Sequence, residues 1–273
     1  VSFINSLSLQ PETMGYALFF GCLFLAFGPA TAIFVLVISK VPTLVILTIG
    51  GGFFWLLSLF AASIWWYIIP PLREIYVWTI FWSVLFQEGG RYLFYKLYTK
   101  AEKGFVKPQQ TTALTTHPDN LAAALALGVG SGVTQCLITY TSILWQATGP
   151  GGYFSPSCPD VNLFAMSAYY SLCFSLLHIF WSLIAFEGYK ESSKFRIIGV
   201  VVSHFVASLF TLINLSGGHC AGSAVMLSLC VAANAVFAWL FAVRSPLLNS
   251  GISTPRPFKV QVNVNETELS ERN

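Results

Sequence analysis

The sequence predicts an all-α integral membrane protein, a bundle of seven transmembrane helices with a lumenal or extracellular N-terminus and a cytosolic C-terminus. Composition is the first observation, because 55% of the residues are hydrophobic and 9% are charged, whereas soluble domains carry about 25% charged residues. A bilayer solvates such a surplus of apolar side chains directly. The second observation is a series of long apolar runs, and the third is the uneven distribution of lysine and arginine between the loops.

The apolar runs define the transmembrane domain, because a spanning helix needs about 20 mainly apolar residues. The seven predicted spans are, in chain order, 14–39, 45–69, 75–97, 120–146, 162–187, 195–215 and 220–243. Together they form a transmembrane domain over 14–243. We interpret 1–13 as an N-terminal extension, with Met14 as a candidate start. The polar, proline-containing segment 244–273 is interpreted as a flexible cytosolic tail.

Basic residues predict the orientation, because lysine and arginine favour cytoplasmic loops. Lys40, Lys100, Lys190 and Arg244 follow spans one, three, five and seven, whereas Arg73 lies between spans two and three. This asymmetry places the N-terminus outside or in a lumen and the C-terminus in the cytosol. The net charge of +3 therefore reflects membrane orientation, and no nucleic-acid partner is expected.

A small number of polar residues interrupt the spans and are the first candidates for function. Span three contains Gln87, Glu88 and Arg91 in "FQEGGRYLFYK", span five contains His178, and span six contains His204. An ionisable side chain in hydrocarbon costs at least about 2.5 kcal/mol and normally faces protein or water. The i,i+3 spacing puts Glu88 beside Arg91 on one helical face.

Depth in the membrane predicts that these residues form one set. Glu88, His178 and His204 each lie nine residues from the predicted cytoplasmic end of their helices, which corresponds to about 14 Å. The shared depth favours an internal polar network of Gln87, Glu88, Arg91, His178 and His204. The alternative is that Glu88 and Arg91 only neutralise each other and that the histidines only bond neighbouring helices. A metal site is not expected, because the residues lack a local signature such as H-E-x-x-H.

Span four contains three glycines in "ALALGVGSGVTQ", residues 124–135. Each interior glycine weakens a water-soluble helix by about 1 kcal/mol relative to alanine, but in lipid it allows two helix backbones to approach closely. Gly128 and Gly132 lie four residues apart on one face, and Gly130 lies near the depth of the polar set. The contacting helix could belong to this chain or to a partner. Leucine at these positions is expected to block packing, and alanine to cost less.

Catalytic chemistry is possible in one form only. The two aspartates, Asp119 and Asp160, lie at or beyond helix ends, so the chain does not supply an intramembrane aspartate pair of the aspartic-protease kind. An intramembrane hydrolase that uses Ser131 with His178 or His204 as its base stays open as an alternative. A seven-span receptor is the other alternative. The leading interpretation has no catalytic residue, no metal and no cofactor.

Two cysteines fall on the predicted lumenal side, where disulfides form and persist. They are Cys158, in the loop before span five, and Cys220, at the start of span seven. A bridge requires their Cα atoms to lie within about 7 Å, which the topology permits without requiring it. The alternative is a free Cys158 and a Cys220 that is a small buried residue.

Several motifs in order resemble one family. The stretches "FFGCLFLAFGPA", "FFWLLSL", "QEGGRYLFYKLYTKAEKG", "LLHIFW" and "VVSHF" are similar to the anterior-pharynx-defective subunit of gamma-secretase, from Met14 to about Arg244. The family's G-x-x-x-G-x-x-x-G ladder and its two intramembrane histidines fall on Ala124, Gly128, Gly132, His178 and His204. Alanine replaces the first glycine of the ladder here, and it is still small enough for close packing.

The resemblance implies a non-catalytic scaffold subunit of an intramembrane aspartyl protease. Such a subunit binds nicastrin, then holds presenilin, whose two aspartates perform the cleavage, and the presenilin-enhancer subunit completes the complex. The substrates are type I membrane proteins such as Notch and the amyloid precursor protein. The implied locations are the endoplasmic reticulum, Golgi, plasma membrane and endosomes, with membrane lipid around the bundle.

Overall fold

The fold is that of a computed structural model, which describes residues 11–70, 74–105, 120–149, 153–215 and 220–244. In chain order the helices are α1 Pro11–Ile33, α2 Pro42–Ile68, α3 Tyr76–Phe105, α4 Asn120–Gln146, α5 Leu163–Lys190, α6 Lys194–Thr211 and α7 Cys220–Ala238. Short π-helical turns, Phe34–Ile38 and Trp239–Arg244, follow α1 and α7, and a 3-10 turn, Leu212–Leu215, follows α6.

The helices coincide with the seven predicted spans, with shifts at several ends. The largest shift is at α3, which continues to Phe105 instead of ending near residue 97. Helix α1 begins at Pro11 instead of Met14, whereas α4 has the predicted bounds. The interpretation of 1–13 as an extension and of 244–273 as a tail falls mostly on 1–10 and 245–273, which lie outside the described residues.

Local sequence accounts for several helix ends. Pro42 occupies the first turn of α2, where its missing N–H has no partner to lose. Asn162 caps α5, and its Oδ1 accepts a hydrogen bond of 2.9 Å from the backbone N of Phe164, which satisfies one of the free donors of the first turn.

The outer surface of the bundle is apolar. Six of the seven described helices are long and apolar enough to cross a membrane, and α3 is longer still but contains Glu88 and Arg91. Phe24, Ile49 and Phe195 are 69%, 69% and 74% exposed. Large apolar side chains at this exposure are stable in hydrocarbon and unfavourable in water.

Helix α4 lies at the centre of the bundle. It packs between α2 and α5, while α1 packs against α4 and α5. Helix α3 packs against α2 and α6, and α7 packs against α5 and α6. Small residues make the central position possible: Ala122, Ala123, Ala126 and Gly130 are among the residues of α4 that are buried.

A short β-hairpin connects α4 to α5 and adds to the predicted all-helical architecture. Strands β1, Phe154–Ser155, and β2, Cys158–Asn162, pair antiparallel. The backbone N of Leu163 donates to the Tyr153 carbonyl at 2.7 Å, so the hairpin lies directly on the first turn of α5. Sequence periodicity did not predict it, because a two-residue strand is shorter than the four residues needed to show alternation.

Candidate functional site

Four buried ionisable residues from three helices form a continuous chain, which we call the polar cluster: Glu88 and Arg91 of α3, His178 of α5 and His204 of α6. Glu88 and Arg91 form an ion pair one helical turn apart. Glu88 Oε1 lies 2.7 Å from His204 Nδ1, and Arg91 Nη2 lies 3.4 Å from His178 Nδ1. The cluster therefore cross-links α5, α3 and α6 through side chains.

Donor and acceptor chemistry fixes the roles within the polar cluster. A guanidinium group donates and has no acceptor, so His178 Nδ1 accepts from Arg91. The carboxylate of Glu88 accepts from Arg91 and from His204 Nδ1–H. All four residues are buried, with exposures between 1% and 6%. The negative and positive charges compensate each other, which is the arrangement that makes ionisable groups tolerable at this depth.

Aromatic rings enclose the histidines. The Trp181 ring stacks on His204 with centroids 4.1 Å apart, and the His178 ring meets both Trp181 and His204 edge to face at 5.5 Å. Gln87, predicted as part of the same network, turns to α2 instead, where its Oε1 accepts from Trp55 Nε1 at 3.1 Å. The sequence did not single out Trp55 or Trp181, although the first stands within the "FFWLLSL" motif and the second within "LLHIFW".

Ser131 adjoins the polar cluster without bonding to a histidine. Its hydroxyl donates to the Gly51 carbonyl of α2 at 3.3 Å. A small cavity, with room for about one water molecule, lies between Ser131, Gln87, Arg91 and the Trp55 ring. Among the described residues no group of three or more His, Cys, Asp or Glu side chains could hold a metal ion.

The glycines of α4 face two different helices. A Cβ added at Gly128 would lie 2.6 Å from Ile179 Cα, and one added at Gly132 would lie 2.8 Å from the Ser175 carbonyl. Both contacts are with α5, so these glycines pack within the chain. Ala124, the first rung of the ladder, is buried in a cluster with Phe186 of α5.

Gly130 lies on the other side of α4, against α2. A Cβ there would overlap the Thr48 carbonyl and would lie 3.0 Å from the backbone N of Gly52. Gly51 makes a second close contact between the same two helices, because its added Cβ would lie 2.6 Å from the Leu127 carbonyl. Its depth predicted that Gly130 lies near the polar set, and the structure shows that its nearest neighbours are backbone atoms of α2.

A second polar group ties α7 to the polar cluster. Asn234, buried on α7, donates to Ser203 Oγ of α6 at 2.7 Å, and Trp181 Nε1 donates to the same hydroxyl at 3.1 Å. Because Trp181 also stacks on His204, a continuous series of side-chain contacts connects α7 to the polar cluster. An asparagine within an apolar span was the available sequence signal.

Cys158 and Cys220 are joined by a disulfide with their Cα atoms 5.4 Å apart. Cys158 begins β2 and Cys220 begins α7, and the backbone N of Cys220 donates to the Ser157 carbonyl at 3.2 Å. The bridge therefore fastens the hairpin to the start of α7.

We expect mass spectrometry of unreduced protein, alkylated before digestion, to recover the Cys158 and Cys220 peptides as one linked species. A Cys158→Ser/Cys220→Ser variant should lose protease protection in the hairpin. Closing a loop of 62 residues stabilises a soluble chain by about 4 kcal/mol. The effect here should be smaller, because α5 and α6 remain in the bilayer when packing is lost. Recovery of both peptides alkylated and unlinked would contradict the bridge.

The helices, their apolar surface and the polar cluster define the class: a multi-pass, all-helical membrane protein with a charge-compensated site buried between its spans. The family profile described as Aph-1 protein matches residues 17–245. The chain belongs to the Aph-1 family, so the predictions of the family and of a seven-helix membrane fold are confirmed.

Relatives from distant organisms share most of the chain. The gamma-secretase subunit Aph-1 of Drosophila melanogaster is 37% identical over 196 residues, which cover 72% of this chain and 81% of that protein. The gamma-secretase subunit Aph-1b of Danio rerio is 34% identical over 240 residues, covering 84% and 90%. The gamma-secretase subunit APH1-like of Arabidopsis thaliana is 36% identical over 214 residues, covering 76% and 83%.

Proposed function

We propose that this chain is a non-catalytic scaffold subunit of gamma-secretase, which holds nicastrin and presenilin in position and accepts the presenilin-enhancer subunit. The observation that carries the proposal is the construction of the polar cluster. Its charged side chains bond to one another and so link α3, α5 and α6. The cluster therefore stabilises the helix arrangement that partners bind, instead of presenting a reactive group. The names of the relatives, each a gamma-secretase subunit, support the same role.

The geometry around Ser131 favours the scaffold over the intramembrane hydrolase. A serine nucleophile needs a base within about 2.6–3.2 Å. Ser131 Oγ bonds to the Gly51 carbonyl, while the Nδ1 atoms of His178 and His204 are engaged by Arg91 and Glu88. The cleavage of type I membrane proteins such as Notch and the amyloid precursor protein is then the work of presenilin.

The proposed orientation has a lumenal N-terminus and a cytosolic C-terminus. Lys40, Lys100, Lys190 and Arg244 fall at one end of the bundle, which suits the cytosolic side. The Cys158–Cys220 disulfide lies at the other end, and an oxidising lumen suits it. We infer assembly in the endoplasmic reticulum, followed by residence in the Golgi, plasma membrane and endosomes.

The test is co-purification from cells whose own Aph-1 subunit has been deleted and which express the full-length chain. Nicastrin and presenilin should be retained, and cleavage of a Notch reporter should be restored. A chain that folds in the membrane but retains neither partner would contradict the proposal and would favour the hypothesis of a seven-span receptor.

Variants of the histidines separate the scaffold from the hydrolase. His178→Leu or His204→Leu leaves a buried partner unsatisfied, at a cost of about 1–3 kcal/mol, and should reduce both presenilin retention and reporter cleavage. Ser131→Ala should change neither. If Ser131→Ala abolished cleavage while assembly stayed normal, the hydrolase would replace the scaffold as the explanation.

A further inference from the structure

Helix α3 continues past its apolar stretch and carries three exposed lysines on its final turns. Lys96, Lys100 and Lys103 are all exposed, and their spacing of four and three residues places them on one face of the helix. We call them the lysine stripe. It rises about 10 Å along the helix axis, which is comparable to the headgroup layer of one leaflet, roughly 5–8 Å thick.

The opposite face of this segment is held against α5 by aromatic rings. The Tyr95 ring lies 5.1 Å from the Phe186 ring and 5.1 Å from the Tyr189 ring. The Tyr98 ring lies 6.2 Å from the Phe186 ring. These contacts fix the rotation of α3, so the lysine stripe points away from the bundle.

The outward direction is the one that faces lipid. Leu93 and Leu97, which border the stripe, are 47% and 48% exposed, and Tyr92, whose ring lies 5.2 Å from the Tyr189 ring of α5, is 43% exposed. A Cβ added at Gly89, one turn further into the membrane on the same face, would meet nothing within 4 Å. The apolar lipid-facing surface of α3 therefore runs directly into the lysine stripe.

The lysines of the stripe have no ion-pair partner in the described part of the chain, and Glu102, the one carboxylate between Lys96 and Lys103, leaves the segment with a net positive charge. Lys190 pairs with Glu187, and Arg196 pairs with Glu191. Within the described ranges, the lysines of the stripe have no carboxylate within 4.0 Å, and Lys96 Nζ instead lies 4.9 Å from the Tyr92 ring centroid. An anion from outside the described residues would complete these contacts.

We propose that the lysine stripe binds the phosphate-bearing headgroups of anionic phospholipids. The acyl chains lie against Leu93 and Leu97, while the lysine stems extend along the helix and place their ammonium groups among the headgroups. Charge complementarity and the continuous apolar surface together select a lipid as the occupant. The inference does not depend on the assembly function proposed above.

The experiment uses spin-labelled phosphatidylserine and phosphatidylcholine with the full-length chain in phosphatidylcholine bilayers. The motionally restricted fraction of each label gives their relative association with the protein. Phosphatidylserine should be favoured about fivefold over phosphatidylcholine at low salt, which corresponds to a net interaction of one basic residue near the surface. The Lys96→Gln/Lys100→Gln/Lys103→Gln variant should bring the ratio close to one.

Two control variants match the triple substitution. Replacing the same lysines with arginine keeps the charge and should keep the preference. Lys190→Gln/Lys194→Gln removes charge at the same end of the bundle, outside the stripe, and should also keep it. For the unmodified chain, 1 M salt should largely remove the preference, because the screening length falls to about 3 Å.

A preference that persists in 1 M salt, or that survives the triple glutamine change, would overturn the proposal, and the salt result needs no variant to fold. Loss of presenilin co-purification from the triple glutamine variant, with an unchanged lipid ratio, would also overturn it, since a protein would then occupy this face.

Discussion

Replacing Gly130 with alanine is expected to destabilise the bundle more than the same change at a glycine whose added Cβ would meet nothing within 4 Å. The added Cβ would overlap the Thr48 carbonyl and press on the backbone of Gly52, and neither backbone atom can rotate away. Overpacking usually costs about 1–3 kcal/mol, and we expect about 3 kcal/mol or more here. Thermal unfolding of the purified chain in detergent, followed by size-exclusion chromatography, measures the loss.

The matched control is Gly199→Ala in α6, because a Cβ at Gly199 meets nothing within 4 Å. In an open helical position alanine should be neutral or stabilising by up to about 1 kcal/mol. If Gly130→Ala and Gly199→Ala unfolded at the same temperature, the close contact between α2 and α4 would be wrong.

Gly128 and Gly132 extend the same argument to α5. The sequence predicts that alanine at these positions disrupts helix packing less than leucine does, and the smaller volume of alanine supports that order. The contacts add that alanine is not harmless, because its Cβ would lie 2.6 Å from Ile179 Cα at Gly128. Both leucine variants should insert into the membrane, lose α4–α5 packing and fail to retain partners.

The depth of the polar residues could be predicted from the sequence, because the rise of a helix converts residue counts into distances. Which residues bond could not be predicted. Gln87 and Glu88 are consecutive, so their side chains point about 100° apart around α3. One meets Trp55 of α2 and the other meets His204 of α6, and the choice depends on the lateral order of the helices.

The contacts of the glycines also depend on the lateral order of the helices, which the sequence does not give. A repeat four residues apart predicts a packing face, but Gly130 forms a second face that matters only because the backbone of Thr48 and Gly52 in α2 lies opposite. The contribution of Asn234 likewise depends on Ser203 of α6 being next to it. Such pairings join residues far apart in sequence, and no local periodicity encodes them.

Removing one member of the central ion pair is expected to have the second large effect. Glu88→Leu leaves Arg91 buried without its counter-charge, and Arg91→Leu does the same to Glu88. Breaking a buried pair typically costs about 3–5 kcal/mol. The double variant Glu88→Leu/Arg91→Leu carries no unpaired charge and should be more stable than either single variant, so the unfolding energies should be strongly non-additive.

A second, partly exposed ion pair provides the comparison: Arg196 Nη1 lies 2.6 Å from Glu191 Oε2, and the two side chains are 12% and 38% exposed. The same cycle there should give a smaller coupling, because water reaches the Glu191 carboxylate and weakens the attraction. Equal coupling in the two cycles would show that burial does not strengthen the Glu88–Arg91 pair.

Partner retention by the double variant separates stability from assembly. Retention should stay low even where folding recovers, because His204 has lost its acceptor and His178 its donor. The side chains then no longer hold α3, α5 and α6 in the arrangement that partners bind.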